Sequence, residues 1–169
     1  QILTKRAERM AEYCSENPVP DNVWLGVTAE NQQTADERIP HLLRINASVR
    51  FVSVEPMLGA VDLQPYLQYP PLHDNYKMSF SWQEWRGLDW VICGGESGPN
   101  ARPMHPDWAR SLRDQCADSG TPFFFKQWGE WILAGVINGN ASYKELVKVG
   151  KKAAGHLLDG VEWRQMPEA

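Results

Sequence analysis

The sequence predicts an α/β domain built on a parallel sheet, the greater part of a barrel-like fold followed by a small C-terminal appendage. Three observations carry this expectation. Short apolar runs of strand length alternate with amphipathic segments of helical period in the order β-α-β-α-β, then an irregular stretch, then β-α-β and a tail. The strand segments are continuous apolar runs rather than alternating ones, as expected when both faces of a sheet are covered. A chain of 169 residues, 43% hydrophobic and 22% charged, is long enough for one domain with a substantial core. The alternation implies right-handed crossovers, and both a barrel and an open doubly wound sheet satisfy it.

Each element has a local cause. Ile2-Leu3-Thr4 reads as the end of a strand, and the chain enters it so abruptly at Gln1 that an N-terminal portion is expected to be missing. Arg6 to Glu16 is rich in helix formers, with Met10, Tyr13 and Cys14 at helical spacing. Asn17-Pro18-Val19-Pro20-Asp21-Asn22 breaks that helix, and Val23 to Val27 is the next strand. A helix follows from Thr34, with Ile39, Leu42, Leu43 and Ile45 on its apolar side and Pro40 fitting only with local adjustment. Val49 to Val54 is a strand ending at Glu55-Pro56. The stretch at about 64–87 is aromatic, proline-rich and without clean period, and is read as an irregular surface excursion. Leu88 to Cys93 is a strongly apolar strand followed by the turn Gly94-Gly95-Glu96-Ser97-Gly98-Pro99-Asn100. Pro106 opens a helix that buries Trp108, Leu112 and Cys116 and stops at Ser119-Gly120. Pro122 to Phe125 is the last barrel strand, Asn138-Gly139 is a turn signal, and residues 136–169 form the appendage packed on the unit at 1–135.

Composition narrows the function classes. No stretch approaches the roughly 18–20 apolar residues that span a bilayer, and the N-terminus has no secretory-signal pattern. Cys14, Cys93 and Cys116 form no CxxC pair and no disulfide framework, which reads as reduced thiols in a cytoplasmic protein. A net charge of −4 gives no global reason to bind nucleic acid, and the basic cluster Lys144, Lys148, Lys151 and Lys152 reads as a solvated face. The glycine-rich turn is neither GxGxxG nor a GK[ST] phosphate loop. His41, His73, His105 and His156 share no metal-ligand spacing, and no residues are assigned as metal ligands. Trp24, Trp90 and Trp108 read as core, whereas Trp82, Trp85, Trp128 and Trp131 are candidates for lining a pocket or stacking on a base.

Polar residues fall at the strand ends: Thr4, Lys5 and Arg6; Thr28 and Glu30; Glu55; Gly94-Gly95-Glu96-Ser97; Lys126-Gln127-Trp128. In a parallel α/β architecture these ends share one rim, where ligands bind. Three carboxylates and two ammonium groups on one rim can supply acid–base groups, an anion clamp or a metal site.

Several segments resemble a bacteriophage-associated protein family of unknown function. They are Leu3-Thr4-Lys5-Arg6, Asn22-Val23-Trp24-Leu25-Gly26-Val27, Ala35-Asp36-Glu37-Arg38-Ile39-Pro40, Arg50 to Gly59, Asp89 to Gly98, Arg102-Pro103-Met104-His105-Pro106, Phe123 to Gly129 and Gly150 to Gly155. The resemblance runs over nearly the whole chain apart from about 68–87. That family in turn looks like the radical S-adenosylmethionine barrels, distantly similar to spore photoproduct lyase. The resemblance implies a partial TIM-like parallel β/α barrel and an upstream cysteine cluster holding a [4Fe–4S] centre. An electron from that centre cleaves S-adenosylmethionine to a carbon radical that abstracts hydrogen from substrate. The three cysteines present cannot form the cluster motif, so the chain alone is expected to hold neither cofactor and to be inactive. By the same resemblance, Lys5, Glu30 and Arg38 would bind the cofactor, and Glu55, Glu96 and Lys126 would face the substrate as catalytic groups.

Two rival readings are a barrel hydrolase using the rim carboxylates directly and a non-enzymatic phage protein binding nucleic acid or another protein. The substrate stays unassigned between a small molecule and nucleic acid. Open edges at the first and last strands are expected to make the isolated piece pair with a second copy or dissolve poorly.

Overall fold

The computed structural model describes residues 1–67, 86–133 and 146–168. Five strands, β1 (Ile2–Thr4), β2 (Trp24–Thr28), β3 (Val49–Val54), β4 (Trp90–Gly94) and β5 (Phe123–Gln127), form one sheet in sequential order. Every neighbouring pair is parallel. Helices α1 (Ala7–Glu16), α2 (Gln32–Leu43) and α3 (Pro106–Ser119) supply three of the crossovers. Sequential order with crossovers of one hand places such helices on one face of the sheet. The fold is therefore α/β with a helix-flanked parallel sheet, as the alternation predicted.

The core sits between that face and the helices. Leu25, Val27, Val52, Val54, Val91, Cys93, Phe123 and Phe125 meet Ala7 of α1, Ala35, Ile39 and Leu42 of α2, and Ala109, Leu112 and Cys116 of α3. Met10 and Cys14 pack against this core, but Tyr13 is 67% exposed. Cys14 is four residues from Met10 and close to it around the helix, whereas Tyr13 stands about 100° away from Cys14. The opposite face has its own aromatic layer. Trp90 meets Trp24, Phe51 and Phe124 with ring centroids 6.0, 5.7 and 5.9 Å away. Gly26 sits beneath Phe51, where a Cβ would collide with the ring.

Several boundaries differ from the sequence reading, most by a single residue, as where β2 runs from Trp24 to Thr28. Helix α2 starts at Gln32, before Thr34, because Asn31 caps it: Thr34 N donates to Asn31 Oδ1 at 3.0 Å and Asn31 N to Thr34 Oγ1 at 3.2 Å. Leu88 precedes β4 because it bridges Leu67. Strand β5 continues through Lys126 and Gln127 because pairing with β4 resumes past an irregularity at Cys93/Gly94. The expected irregular excursion is described as far as a 3₁₀ turn at Gln64–Tyr66. Residues 68–85 of it, with His73, Trp82 and Trp85, lie outside the described residues, as do Asn138, Gly139 and Lys144.

At the N-terminal end of the sheet a buried cation ties three segments together. Arg50 is 5% exposed. Its guanidinium donates to the carbonyls of Leu43 (3.1 Å), Arg86 (2.6 Å) and Gly87 (3.0 Å). Asp89 accepts from the Arg50 backbone N–H at 2.8 Å and pairs with Arg86 at 3.1 Å.

Strands β6 (Trp131–Leu133) and β7 (Leu146–Lys148) form a separate antiparallel ladder, followed by the short helix α4 (Lys151–Ala154). The tail then returns to β5. Phe125 N donates to Trp163 O at 2.9 Å and Gln165 N to Phe123 O at 3.1 Å, an antiparallel contact along the β5 edge. The expectation of an open last strand is corrected accordingly, because backbone groups of the tail occupy that edge. Ile2 and Leu3 of β1 are 53% and 49% exposed, and among the described residues no strand pairs outside β1.

Two arginines of α3 hold the tail. Arg110 Nε and Arg113 Nη1 reach Asp159 at 2.9 and 2.8 Å. Hydrogen bonds from Arg110 are the main reason the Asp159 carboxyl lies below its ordinary range. A group whose folded pKa is depressed stabilises the fold above its unfolded pKa, and that stability is lost as pH falls through the folded value. Asp159→Asn keeps a side chain that tolerates the left-handed φ of 54°. The expected loss is about 1 kcal/mol or less, since the pair is partly exposed. It should be present at neutral pH and shrink as pH drops below about 4, measured by urea denaturation of both proteins across pH.

Candidate functional site

The C-terminal strand ends gather most of the predicted site residues into two clusters. In the first, Glu30 follows β2 and is 8% exposed. Lys5, just past β1, donates to Glu30 Oε1, and Arg38 on α2 pairs with Oε2 at 2.9 Å while bonding the Thr28 carbonyl at 2.8 Å. Burial pushes the Glu30 carboxyl up, but the Lys5 hydrogen bond and both neighbouring cations outweigh it, so its pKa lies below the ordinary value. The group carries two cations and one anion, and the Lys5 side chain is 61% exposed.

In the second cluster Glu55, just past β3, reaches across β4 to β5. Its Oε2 meets Lys126 Nζ at 2.9 Å and its Oε1 accepts from Gln127 Nε2 at 3.1 Å. The intervening strand ends in Gly94, where a Cβ would stand 3.0 Å from Glu55 Oε1. The glycine thus leaves the space in which the carboxylate crosses. Gln127 is 5% exposed, and its amide is committed on every side. Nε2 also donates to Gly95 O at 2.7 Å, and Oε1 accepts from Gly129 N. Sequence reasoning placed Gln127 on the rim without giving it a part. Its position beside Lys126 at a strand end, near two glycine turns, was the available signal.

Glu96 belongs to neither cluster. Arg102 chelates it, Nε to Oε2 and Nη2 to Oε1 both at 2.8 Å, and the Arg102 backbone N–H adds a bond of 2.7 Å. These hydrogen bonds hold the Glu96 carboxyl at about 2. The carboxylate closes the glycine-rich turn on itself. That turn is also backed by the C-terminal ladder: Trp131 Nε1 donates to Ala101 O at 2.7 Å, Glu130 Oε1 accepts from Gly98 N at 3.0 Å, and Lys148 bonds Pro99 O. Trp128, expected as a pocket-lining candidate, is 9% exposed, meets the Phe125 ring edge to face with centroids 4.8 Å apart, and donates from Nε1 to Leu157 O. It packs on the core just past the end of β5, held between the Phe125 ring and the Leu157 carbonyl. His105 caps α3 by accepting from Asp107 N at 3.2 Å.

The thiols do not fit an iron–sulfur cluster. Cys93 and Cys116 are fully buried in the core, and burial pushes both pKa values up, Cys116 to about 12. Cys14 on α1 is shifted upward by burial as well. A ligating thiolate needs the opposite environment. Among the described residues no group of three His, Cys, Asp or Glu is arranged to hold a metal ion, and no helix is long and apolar enough to cross a membrane.

Residues 1–167 match a family model described as a protein of unknown function, DUF5131. No curated protein and no solved structure matches the chain. With the match covering nearly every residue, the chain belongs to the DUF5131 family of proteins of unknown function.

Proposed function

We propose that this chain forms the greater part of the barrel of a cytoplasmic radical S-adenosylmethionine-type enzyme, with the rim of strand ends as its ligand face. What supports the reading is one juxtaposition: Lys5, Glu30 and Arg38 lie together at the ends of β1 and β2, and Glu55 and Lys126 lie together over β3 to β5. The reading carries with it the resemblance to phage-associated proteins and the barrel arrangement of the sheet. Sequential parallel order is the strand order a β/α barrel has. Lys5, the exposed member of its cluster, would meet an anionic group of the cofactor, with Glu30 and Arg38 fixing its position. Glu55 and Lys126 would face the substrate as a proton-carrying pair. Glu96, saturated by Arg102, would shape the glycine-rich turn and take no part in proton transfer.

A [4Fe–4S] centre, when bound, would supply the electron that such chemistry needs. Its ligands would have to come from outside these 169 residues, since Cys14, Cys93 and Cys116 do not suit it. Self-association through the β1 edge is part of the same reading wherever that edge is not otherwise paired.

The test is the iron and acid-labile sulfide content of the natural polypeptide carrying this sequence, purified without oxygen. The expected result is about four of each per chain with cleavage of S-adenosylmethionine on reduction. A folded protein with neither iron nor cleavage sinks the reading and leaves the carboxylates as a hydrolytic or binding site.

A further inference from the structure

The three rim carboxylates differ in what they can offer a ligand. Glu30 has a cation on each oxygen and lies nearly buried. Glu96 has both oxygens chelated by one guanidinium. Lys5 on Glu30 is as exposed as Lys126, but Glu30 keeps the Arg38 cation when Lys5 leaves. The fixed oxygen of Glu55 rests on a neutral amide, so Glu55 alone of the three loses its only cationic partner when one exposed lysine moves. Gln127 fixes Oε1, and the Gln127 amide cannot rotate without giving up Gly95 O and the Gly129 N–H. Oε2 is held by Lys126, whose side chain is 52% exposed. An exposed lysine on a four-carbon stem swings away at small cost, because exposed ion pairs contribute little.

Swinging Lys126 away exposes an anion and frees a cation at the same point. A ligand that is only an amine replaces the lysine at Glu55 but leaves the lysine without its partner. A ligand that is only an anion takes the lysine but leaves Glu55 without its partner. A ligand carrying both charges satisfies both groups.

We propose that Glu55 and Lys126 form an exchangeable ion pair that binds a zwitterionic small molecule, the ammonium on Glu55 Oε2 and the anion on Lys126, with Gln127 as the positioning residue. The inference rests on the reading of the rim as a ligand face, and it deepens that reading by naming a chemical class for the substrate. It does not require radical chemistry.

Glycine, methylamine and acetate serve as probes, titrated into the isotopically labelled protein and followed by NMR. Glycine is expected to bind at least about tenfold more tightly than either single-charge probe, because it forms two ion pairs from one bound molecule. Lys126→Ala, at an exposed position that leaves folding intact, is expected to tighten methylamine binding by removing its competitor and to bring glycine down to the methylamine level. Glu55→Gln should reduce glycine to the acetate level. Gln127→Leu should weaken glycine several-fold and leave acetate unchanged, a split that a packing role alone does not produce. Equal affinity for the three probes, glycine binding indifferent to Glu55→Gln, or no binding of any probe to the folded protein overturns the proposal. Displacement of glycine by excess S-adenosylmethionine assigns the zwitterion site to the cofactor and overturns its assignment to substrate; glycine retained under that excess supports the substrate. Failure here beside a positive iron and cleavage assay removes only the ligand class, whereas a negative iron assay beside selective glycine binding removes only the radical chemistry.

Discussion

Gly95→Ala is expected to destabilise the protein by about 3 kcal/mol or to prevent folding. The cause is contact rather than backbone freedom. A Cβ at Gly95 would overlap the Trp128 carbonyl and its carbon, and across the same approach a Cβ at Gly129 would overlap the Glu96 carbonyl. The two glycines let the turn after β4 and the turn after β5 cross at backbone distance. Gly95 N reaches Gln127 O at 2.8 Å and Glu130 N reaches Glu96 O at 3.2 Å because of it. Backbone atoms cannot move aside as a side-chain tip can, so the overlap must be relieved by separating the turns. That would break the Gln127–Gly95 bond and release Glu55 as well. Gly98→Ala is the control: its φ of 112° is strained for alanine, but nothing lies within 4 Å of the added Cβ. Its cost should stay at about 1 to 2 kcal/mol, the strain of the backbone alone. Urea denaturation followed by tryptophan fluorescence separates the two, and similar midpoints for the two variants would refute the contact argument.

Arg50→Ala is expected to cost about 3 kcal/mol or more, because it strips donors from buried acceptors. The guanidinium serves the end of α2 through Leu43 O and the approach to β4 through Arg86 O and Gly87 O. Burial pushes its pKa down and Asp89 opposes that shift, so the cation persists. Arg50→Lys retains the charge but lacks the planar fork that reaches several carbonyls at once. It should recover less than half of the loss. A lysine variant as stable as the parent would mean that charge, and not the hydrogen-bond fan, sustains this end of the sheet.

The parallel sheet was legible because its strands are continuous apolar runs. Val49–Val54 appears at its expected bounds, and the two helices whose starts bear Ala7 and Pro106 fall within a residue or two of expectation. The rim was legible for the same reason: once strands are parallel and in order, their ends must coincide. Lys5 finding Glu30 and Glu55 finding Lys126 follow from that geometry. Partners set by loop paths were not legible. Arg102 chelates Glu96 from six residues away because the turn doubles back, which no periodicity encodes. The tail was read as an appendage because the pattern changes beyond Trp131 and no further βα unit follows. It joins β5 through backbone groups, which every sequence possesses alike. Membership in a family of unknown function was recognised from motifs spread over the chain, and the family match extends over residues 1–167.

The tail on β5 also sets a limit on stoichiometry. A sheet with two free borders can add units at both and polymerise into filaments. Here one border is already terminated from within the chain, and among the described strands β1 is the border that remains. A second copy joining there through its own β1 completes a finite pair, because the far border of each copy is already covered by its tail, and leaves that assembly no growing end.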